Sequence, residues 1–578
     1  MKFRALLLGT AACAVMAGQA LAQDAGAPAD APKKHHHHEA MASGSDRIDR
    51  LERLVEQQSQ EIQDLKAQVN NQPSSQVSSA QFEALQNQVY ETQAVVKAAT
   101  TPQDKKIHFK GITFTFGGFI AMESVWRSNQ LFSDIGSPGF SSIPFAGPGG
   151  TPGNAVDVAH TREFRFTARQ SRVSGMAEGD TGDMHLTGYG EFDFLGAAAS
   201  ANSKESNSYT PRVRNVYGTV DWKDIGLKFL FGQSWSLATL TGKGMSERSE
   251  LAPPTIEAQY VAGFVWTRQP QLRLVKQFGD SLWLGVSVEN PQTTIGGTAP
   301  TGVVITTGSG SGFNGGTGVA GAEFNPGITL TLNQAPDVIG KVAWEPDFFN
   351  GNVHLEGVGL LRQFYDRVGT SAGATSSFGN HTTSGGGGGV AGLIKVVPGL
   401  FDFQFDTLFG SGIGRYGSGQ LPDVTYRANG TFQPLNENME MAGLTLHATP
   451  DLDIYVFGGR EHEDMSVFHS AGQGGYGNAA NLVGGCDSYN AVPNTANVTY
   501  NFSCKANVQE VTQINVGLWD KIYNGDFGSF RFGIQYSYTH LKAFPGIVGV
   551  QTAPATNLYG TPHTDDNMIF TSFRYYPF

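Results

Sequence analysis

The feature that most constrains the fold is an alternation of apolar and polar side chains close to the carboxyl terminus. From Phe530 to Tyr538 every second residue is aromatic or aliphatic, and Arg531, Gln535 and Ser537 lie between them. Such a segment forms a β-strand with one apolar and one polar face. In a soluble sandwich the apolar face packs against a second sheet. In a membrane barrel it contacts lipid, and the polar face lines water.

The same alternation recurs along residues 108–578 and predicts an all-β transmembrane barrel of sixteen antiparallel strands. The predicted strands span residues 112–126, 163–177, 183–195, 211–222, 226–236, 268–278, 281–290, 334–345, 352–366, 388–399, 401–409, 440–449, 452–463, 508–520, 527–540 and 566–578. Short and long connections alternate between them, which predicts short turns on the periplasmic side and long loops outside. A barrel of this size encloses an aqueous channel.

Residues 1–22 have the features of an export signal. Lys2 and Arg4 precede an apolar stretch, and Ala20-Leu21-Ala22 is a small-x-small pattern, so we expect cleavage after Ala22. No later stretch approaches the ~20 apolar residues of a membrane-spanning helix. The formal net charge of −12 makes the chain a poor partner for nucleic acid.

Two segments separate the signal from the barrel. Residues 23–45 form an Ala- and Pro-rich linker, in which His35–His38 is either a solvated tract or tag, or a collector of periplasmic zinc. Residues 46–100 carry heptad spacing that begins at Ile48 and Leu51. We expect a periplasmic coiled coil, compatible with a trimer, because an isolated helix this short cannot bury its apolar stripe. The alternative is one helix lying on the barrel mouth.

Loss of the signal leaves two cysteines, Cys486 and Cys504. In an exported chain such a pair predicts a disulfide that closes one loop, and there is no further cysteine to build a zinc site with them. The residues Ser234, His447, His462 and His469 stand on separate predicted strands or loops, so we expect no catalytic set. No cofactor is expected.

Charged residues on the predicted polar faces and in one connection are candidates for the channel wall. At mid-depth on the lipid face each basic residue would cost about 2–4 kcal/mol, so we place these residues in the lumen. The connection from Ser236 to Trp266 carries charges and Pro253-Pro254 instead of a Gly/Ser tract. The candidate pore-lining residues are Arg165, Arg169, Arg172, Arg212, Arg214, Lys228, Lys243, Glu247, Arg248, Arg268 and Arg273.

This basic set favours a path for anions, because the arginine side chain matches carboxylate and phosphate groups. The alternative is that the basic groups pair with wall carboxylates and only solvate the wall. The carboxylates in question are Glu163, Glu191, Asp193, Glu289 and Glu356. The function expected is a passive diffusion channel for small hydrophilic solutes. The alternative function is an outer-membrane anchor whose coiled coil has a structural role in the periplasm.

Several runs resemble the DcaP-like outer-membrane porins. These runs are Ala168–Arg172, Arg212–Gly218, Phe231–Ser236, Arg268–Arg273 and Glu289–Pro291. The aromatic ending resembles the terminal strand signal of bacterial outer-membrane barrels, with Phe570, Tyr576 and Phe578 in the two-residue spacing and Arg574 departing from it. We expect these aromatic residues to contact lipid.

The resemblance implies a homotrimer of sixteen-stranded barrels in the outer membrane of a Gram-negative bacterium, in contact with lipid and lipopolysaccharide. It also implies uptake of small anions such as dicarboxylates. In sixteen-stranded porins the loop after the fifth strand narrows the lumen, and Ser236–Trp266 occupies that place. We therefore expect this connection to fold inward, the alternative being an ordinary surface loop.

Overall fold

The structure, a computed structural model, describes a defined part of the chain. The described residues are 106–131, 135, 140–145, 161–196, 210–306, 331–349, 351–370, 377–469, 473–489, 498–500, 503–552 and 554–577. The signal peptide with Ala22, the linker 23–45 with His35–His38, and the coiled coil 46–100 lie outside the described residues and stay predictions.

Sixteen strands form one closed antiparallel barrel, which confirms the fold expected from the sequence. They are β1 Ile112–Arg127, β2 Glu163–Thr167 continued by Arg172–Thr181, β3 Met184–Asp193, β4 Arg212–Trp222, β5 Leu227–Trp235, β6 Arg268–Phe278, β7 Leu282–Glu289, β8 Asp337–Trp344, β9 Val353–Thr370, β10 Ser377–Val397, β11 Phe401–Ser411, β12 Asn436–Thr449, β13 Leu452–Glu463, β14 Val508–Gly525, β15 Gly528–Ala543 and β16 Ala555–Tyr576. Strand β16 pairs back onto β1 from Ile120↔Tyr575 to Arg127↔Met568, which closes the barrel.

The two faces of the barrel wall are inverted relative to a soluble protein. On β15, Ile534 and Tyr536 are 40% and 43% exposed, whereas Gln535 and Ser537 between them are buried. The alternation on β6 is the same, with Leu272 and Leu274 outside and the buried Arg273 inside. The apolar residues therefore face outward and the polar residues inward, as the sequence pattern predicts. Among the described residues, no helix is both long enough and apolar enough to cross a membrane.

The final strand corrects one detail of the sequence analysis. Phe570 is fully buried and pairs with the buried Val125, so it faces the interior instead of lipid. Tyr576 also points inward, where its ring centre lies 5.1 Å from that of Phe119. Phe573 is the outward aromatic residue, with its ring centre 5.0 Å from that of Phe532. Pairing with β1 and β15 decides this parity, because both faces of the strand carry aromatic residues.

The expected alternation of long and short connections holds for most of the barrel but fails in one place. Strands β9 and β10 stay paired from Val353↔Ile394 to Thr370↔Ser377, so only residues 371–376 connect them. From the sequence, the tenth strand is expected to begin at residue 388, after a long loop. The misplaced boundary follows from the glycine run at 385–389, which carries no side-chain pattern yet pairs as regular strand.

Short extra strands add to the end of the barrel where the longer connections lie. Val424–Tyr426 pairs with Phe432–Pro434, and Ser466–Phe468 pairs with Gly474–Tyr476. Gly546–Thr552 folds back onto β16. These hairpins are built from the connections β11–β12, β13–β14 and β15–β16, and they cover the wall at this end.

Candidate functional site

The connection between β5 and β6, residues 236–267, lies inside the barrel and is called the luminal loop below. Its apolar side chains pack against apolar residues that the wall turns inward. One cluster joins Leu237, Met245 and Val265 to Val275, Trp283, Ile339, Leu408 and Met439. A second cluster joins Ile256, Val261 and Phe264 to Val125, Tyr455, Phe457, Trp519 and Phe570. The inward position of Phe570 is thus explained, because it lies beneath the luminal loop.

Polar side chains of the wall hold the main chain of the luminal loop. Main-chain N–H groups donate from Leu237 to Glu289 (2.8 Å), from Thr241 to Glu356 (3.0 Å), from Ile256 to Gln535 (2.6 Å), from Ala262 to Gln513 (3.1 Å), from Gly263 to Glu461 (2.7 Å) and from Val265 to Asp406 (3.0 Å). In the other direction, Gln170, Lys341, Gln404 and Trp519 donate to loop carbonyls. These partners belong to opposite sides of the wall, so the loop crosses the lumen, and the wall supplies hydrogen-bond partners for ten groups of its main chain.

Backbone conformation at Gly263 fixes the approach of the luminal loop to the wall. Its φ is 83°, and a Cβ atom built there would lie 2.1 Å from the carbonyl oxygen of Glu440. Only glycine fits this position. Arg248 and Tyr260 also adopt positive φ values, 65° and 68°, which are uncommon for residues with side chains. The ring of Tyr260 packs against those of Phe264 and Trp266, with ring centres 5.3 and 5.2 Å away, which helps to hold this residue in its conformation.

A cavity of 410 Å³ lies between the luminal loop and strands β2 to β4. Charged groups of both signs line it. The basic residues are Arg172, Arg214, Arg248 and Arg574, and the acidic residues are Glu191, Asp193, Glu250 and Glu257. The cavity therefore brings residues that are far apart in the sequence into one polar chamber.

The arginines of this cavity differ in whether a nearby carboxylate offsets their charge. Arg214 contacts both Glu191 (2.5 Å) and Asp193 (3.0 Å), and Arg574 contacts Glu123 (2.7 Å). Arg172 lies 3.7 Å from Glu191. Arg248 is exposed and lies over the ring of Tyr189, at 5.5 Å from its centre. Of the four, Arg248 is the one whose charge most directly faces the lumen.

The remaining candidates on the strands point to the interior, but most are held by partners. Lys228 lies 3.2 Å from Glu247 and 3.5 Å from Asp221. Arg212 contacts Asp193 at 2.7 Å, and the exposed Arg165 lies 3.5 Å from Glu163. Pairing with carboxylates thus accounts for part of the basic set.

Three of the other basic candidates bind neighbouring carbonyl groups or aromatic rings, and a fourth is exposed. Arg169 donates to the carbonyls of Phe194 (3.0 Å) and Gly196 (2.7 Å). Arg273 is buried and donates to the side chain of Gln271 and the carbonyl of Trp235. Arg268 lies over the rings of both Trp235 and Trp266, at 5.0 and 5.1 Å from their centres. Lys243, on the luminal loop, is exposed.

Sequence reasoning missed several residues of the chamber. Arg574 is treated there as a break in an aromatic pattern, although it occupies an inward position of β16 and contacts Glu123. Tyr189 and Glu257 carry no charge pattern or motif that marks them. The wall glutamates Glu289 and Glu356 are named as possible partners of arginine, but both accept hydrogen bonds from the luminal loop. Strand parity gives the signal for Arg574; the other contacts depend on the path of the loop.

Two carboxyl groups of the luminal loop have shifted proton affinities. Burial raises the pKa of Glu250 to about 7, against an opposing effect of its own main-chain N–H group. Burial also raises the pKa of Glu257 to about 8, although Arg127 and a hydrogen bond from Gln513 act against the shift. The charge of the chamber therefore changes between mildly acidic and mildly alkaline pH.

The predicted disulfide is present. Cys486 and Cys504 are joined, with their Cα atoms 4.9 Å apart, and the bridge lies within the connection between β13 and β14. Val483, Cys486 and Val548 form a small apolar cluster beside it. In the described part of the chain, no group of three or more His, Cys, Asp or Glu side chains is arranged to hold a metal ion.

Comparison with solved structures identifies the architecture. The outer membrane channel DcaP of Acinetobacter baumannii superposes with a TM-score of 0.50 at 16% sequence identity, over 81% of this chain and 99% of that chain. The barrel has the fold of DcaP. The resemblance stated from the sequence is thereby confirmed at the level of the fold.

Other outer-membrane proteins match with lower scores. The outer-membrane protein OmpT of Vibrio cholerae gives a TM-score of 0.40 at 12% identity, over 82% of this chain and 99% of that one. An anion-selective porin from Comamonas acidovorans gives 0.40 at 9% identity, over 80% and 99%. No protein-family model matches the sequence, and a search of curated proteins finds no match.

Proposed function

We propose that this protein is a passive channel of the bacterial outer membrane for small hydrophilic solutes. The observation that carries the proposal is the inversion of the wall, with apolar side chains such as Leu272 and Ile534 exposed and polar ones such as Arg273 and Gln535 buried. Exposed apolar surface of this extent is stable in contact with lipid and not with water. A closed barrel satisfies its main-chain hydrogen bonds within such an environment.

The luminal loop is the proposed constriction of this channel. It bonds to strands on opposite sides of the lumen, which narrows any path along the barrel. The chamber beside it, with Arg248 facing the lumen, lies at the level where a solute would pass the loop. Charged groups at a narrow point govern which ions pass.

Anion preference follows from the balance of charges in the chamber. Arg214 is offset by Glu191 and Asp193, and Arg574 by Glu123, whereas Arg248 is exposed above Tyr189. At pH values below 7, Glu250 and Glu257 are mostly protonated and do not cancel this charge. Small carboxylates are the proposed solutes, because guanidinium groups pair well with them. Assembly as a homotrimer, with residues 46–100 as a periplasmic coiled coil, is part of the same proposal.

Reversal potentials in planar lipid bilayers test this function. The full mature protein is inserted into a bilayer that separates two KCl solutions of different concentration. We expect stable conductance steps and a reversal potential whose sign shows chloride to be the more permeant ion at pH 6. A cation preference at pH 6 would refute the role given to Arg248 but would leave the proposed channel function intact. The absence of any conductance from correctly folded, heat-modifiable protein would refute the channel itself.

A further inference from the structure

A pair of buried glutamates lies in the barrel wall away from the luminal chamber. Glu437 near the start of β12 is paired directly with Glu463 at the end of β13. Both side chains are almost fully buried, with exposures of 2% and 0%. Directly opposed residues on neighbouring antiparallel strands place their side chains next to each other on one face of the sheet. Two carboxyl groups are therefore held side by side, out of contact with solvent.

Hydrogen-bond donors are scarce around both carboxyl groups: among the described residues Glu437 has none, and Glu463 has the hydroxyl of Tyr476 beside it. Within the described residues, none of the four oxygens of Glu437 and Glu463 accepts a hydrogen bond. The hydroxyl of Tyr476 interacts with Glu463, but its short hydrogen bond, at 2.6 Å, is the one that it donates to the carbonyl of Val508. Wall carboxylates on these strands that bind the luminal loop do have donors. Glu461, two residues before Glu463, accepts hydrogen bonds from Gly263 and Gly419.

The surroundings of the pair carry an excess of negative charge. Asp337, Asp423 and Glu461 lie in the same region of the wall. The basic groups present are Arg362, which contacts Asp423 (2.5 Å) and Asp337 (3.2 Å), and Arg415, which lies 3.6 Å from Asp337. With the exposed Asp464, which also lies near Glu463, six carboxyl groups stand against two guanidinium groups, and both guanidinium groups are directed to Asp337 and Asp423. Buried carboxylates without such compensation are costly, so the pair requires a further cation or a shared proton.

We propose that Glu437 and Glu463 bind a Ca²⁺ ion. Calcium takes six to eight oxygen ligands and accepts carboxylates in bidentate fashion, so the pair supplies up to four of them. Main-chain carbonyl oxygens and water would complete the shell, since only two acidic side chains take part. Magnesium suits the place less well, because it loses its hydration water reluctantly.

The position of the pair gives such an ion a structural role. Gly414, in the β11–β12 connection, lies directly over Glu437, where an added Cβ would be 2.9 Å from the Oε2 atom. Leu435, Tyr476 and Phe544 form a buried apolar cluster beside it, and they come from three different connections or strand ends. A bound ion would fasten the β11–β12 and β13–β14 connections to the wall. The inference concerns stability of this end of the barrel and does not depend on the channel function.

Terbium luminescence and thermal unfolding test the proposal on the full mature protein in detergent. After treatment with EDTA, Tb³⁺ is added alone and the tyrosines are excited, so that Tyr476 sensitises an ion bound at the pair. We expect a saturable signal that Ca²⁺ displaces, and a rise in the unfolding temperature on adding Ca²⁺ that EDTA reverses. The double variant E437Q/E463Q should lose both effects. Asp464→Asn, which removes an exposed neighbouring carboxylate, should keep both.

Two outcomes would overturn the calcium site. The first is an unfolding temperature of the unaltered protein that is the same in Ca²⁺ and in EDTA, which needs no variant to fold. The second is a Tb³⁺ signal that survives in E437Q/E463Q. Either result would exclude a calcium ion at the pair and leave a shared proton as the remaining compensation for its buried charge. Tyr476→Phe serves as a further check, since it should lower the luminescence while leaving the Ca²⁺-dependent rise in unfolding temperature.

Discussion

Two connections at the same end of the barrel take different paths: one enters the lumen, and the other bonds to external segments. The luminal loop, residues 236–267, contains three glycines and a series of apolar residues that are buried inside the barrel. The β7–β8 connection, residues 290–336, contains eleven glycines, and its described residues bond to other external segments, as Thr298 does to Gly475 and Thr294 to Asp423. A loop enters the lumen when it carries apolar side chains to bury and the wall offers acceptors for its main chain. A glycine-rich connection has little to gain from such burial.

The largest effect is expected from exchanging residues 240–262 for a short Gly/Ser linker. The lumen would lose its main obstruction, so single-channel conductance in planar bilayers should rise severalfold. The matched control exchanges residues 307–330 of the β7–β8 connection for the same linker, which should leave the conductance nearly unchanged. Equal effects of the two exchanges would contradict the assignment of the luminal loop as the constriction.

A smaller effect is expected from neutralising Arg248. Across about 4 Å of water, the interaction free energy between one charge and a passing ion is roughly 1 kcal/mol. This energy corresponds to about a fivefold change in the ratio of anion to cation permeability. Arg248→Gln should lower this ratio, as measured by the reversal potential across a KCl gradient, and Arg248→Glu should lower it further. Arg427→Gln, on the external hairpin, is the control and should have little effect. An unchanged ratio in both Arg248 variants would remove this residue from the selectivity mechanism.

The permeability ratio should also depend on pH. Because burial raises the pKa of Glu250 to about 7, its carboxyl group is protonated at pH 6 and ionised at pH 8. The added negative charge opposes anions, so the preference for chloride should weaken as the pH rises. Reversal potentials at pH 6 and pH 8 measure the change. Glu250→Gln should remove part of it, and Glu257, whose pKa is raised to about 8, accounts for a further part at the alkaline end.

The anchors of the luminal loop should affect stability more than permeation. Glu461→Ala deprives the main-chain N–H groups of Gly263 and Gly419 of their acceptor, at a cost of roughly 1–3 kcal/mol for each buried group. The unfolding temperature in detergent should fall. Glu461→Gln retains an acceptor oxygen, so its unfolding temperature should fall less. If the alanine and glutamine variants unfolded at the same temperature as the unaltered protein, the anchoring role of Glu461 would be excluded.

Much of the fold follows from the sequence because a two-residue period is a local property. It places all sixteen strands and puts Lys228, Arg214 and Arg273 on the interior face. The period cannot assign a face where both faces carry aromatic residues, which is why Phe570 and Tyr576 were placed wrongly. The period also cannot identify a strand that consists of glycine, as in residues 385–389 of β10.

The candidate site is less predictable than the wall. The inward loop was expected from its place after the fifth strand in a porin-like barrel, whereas its apolar residues, such as Ile256 and Phe264, hold it in the lumen. The roles of Glu289, Glu356 and Glu461 as acceptors for the loop were missed. Each contact joins residues far apart in the chain, and nothing in the local sequence of either partner specifies the other.

By itself, the sequence determined the alternation of the strands, their number and the pairing of Cys486 with Cys504. The physical reason is that side-chain direction in a strand and the redox state of an exported cysteine pair depend on near neighbours and compartment. Only the tertiary structure decided how the luminal loop crosses the barrel, which arginine faces the lumen and where Glu437 meets Glu463. Those features depend on barrel closure, which brings distant strands to opposite sides of one enclosed space.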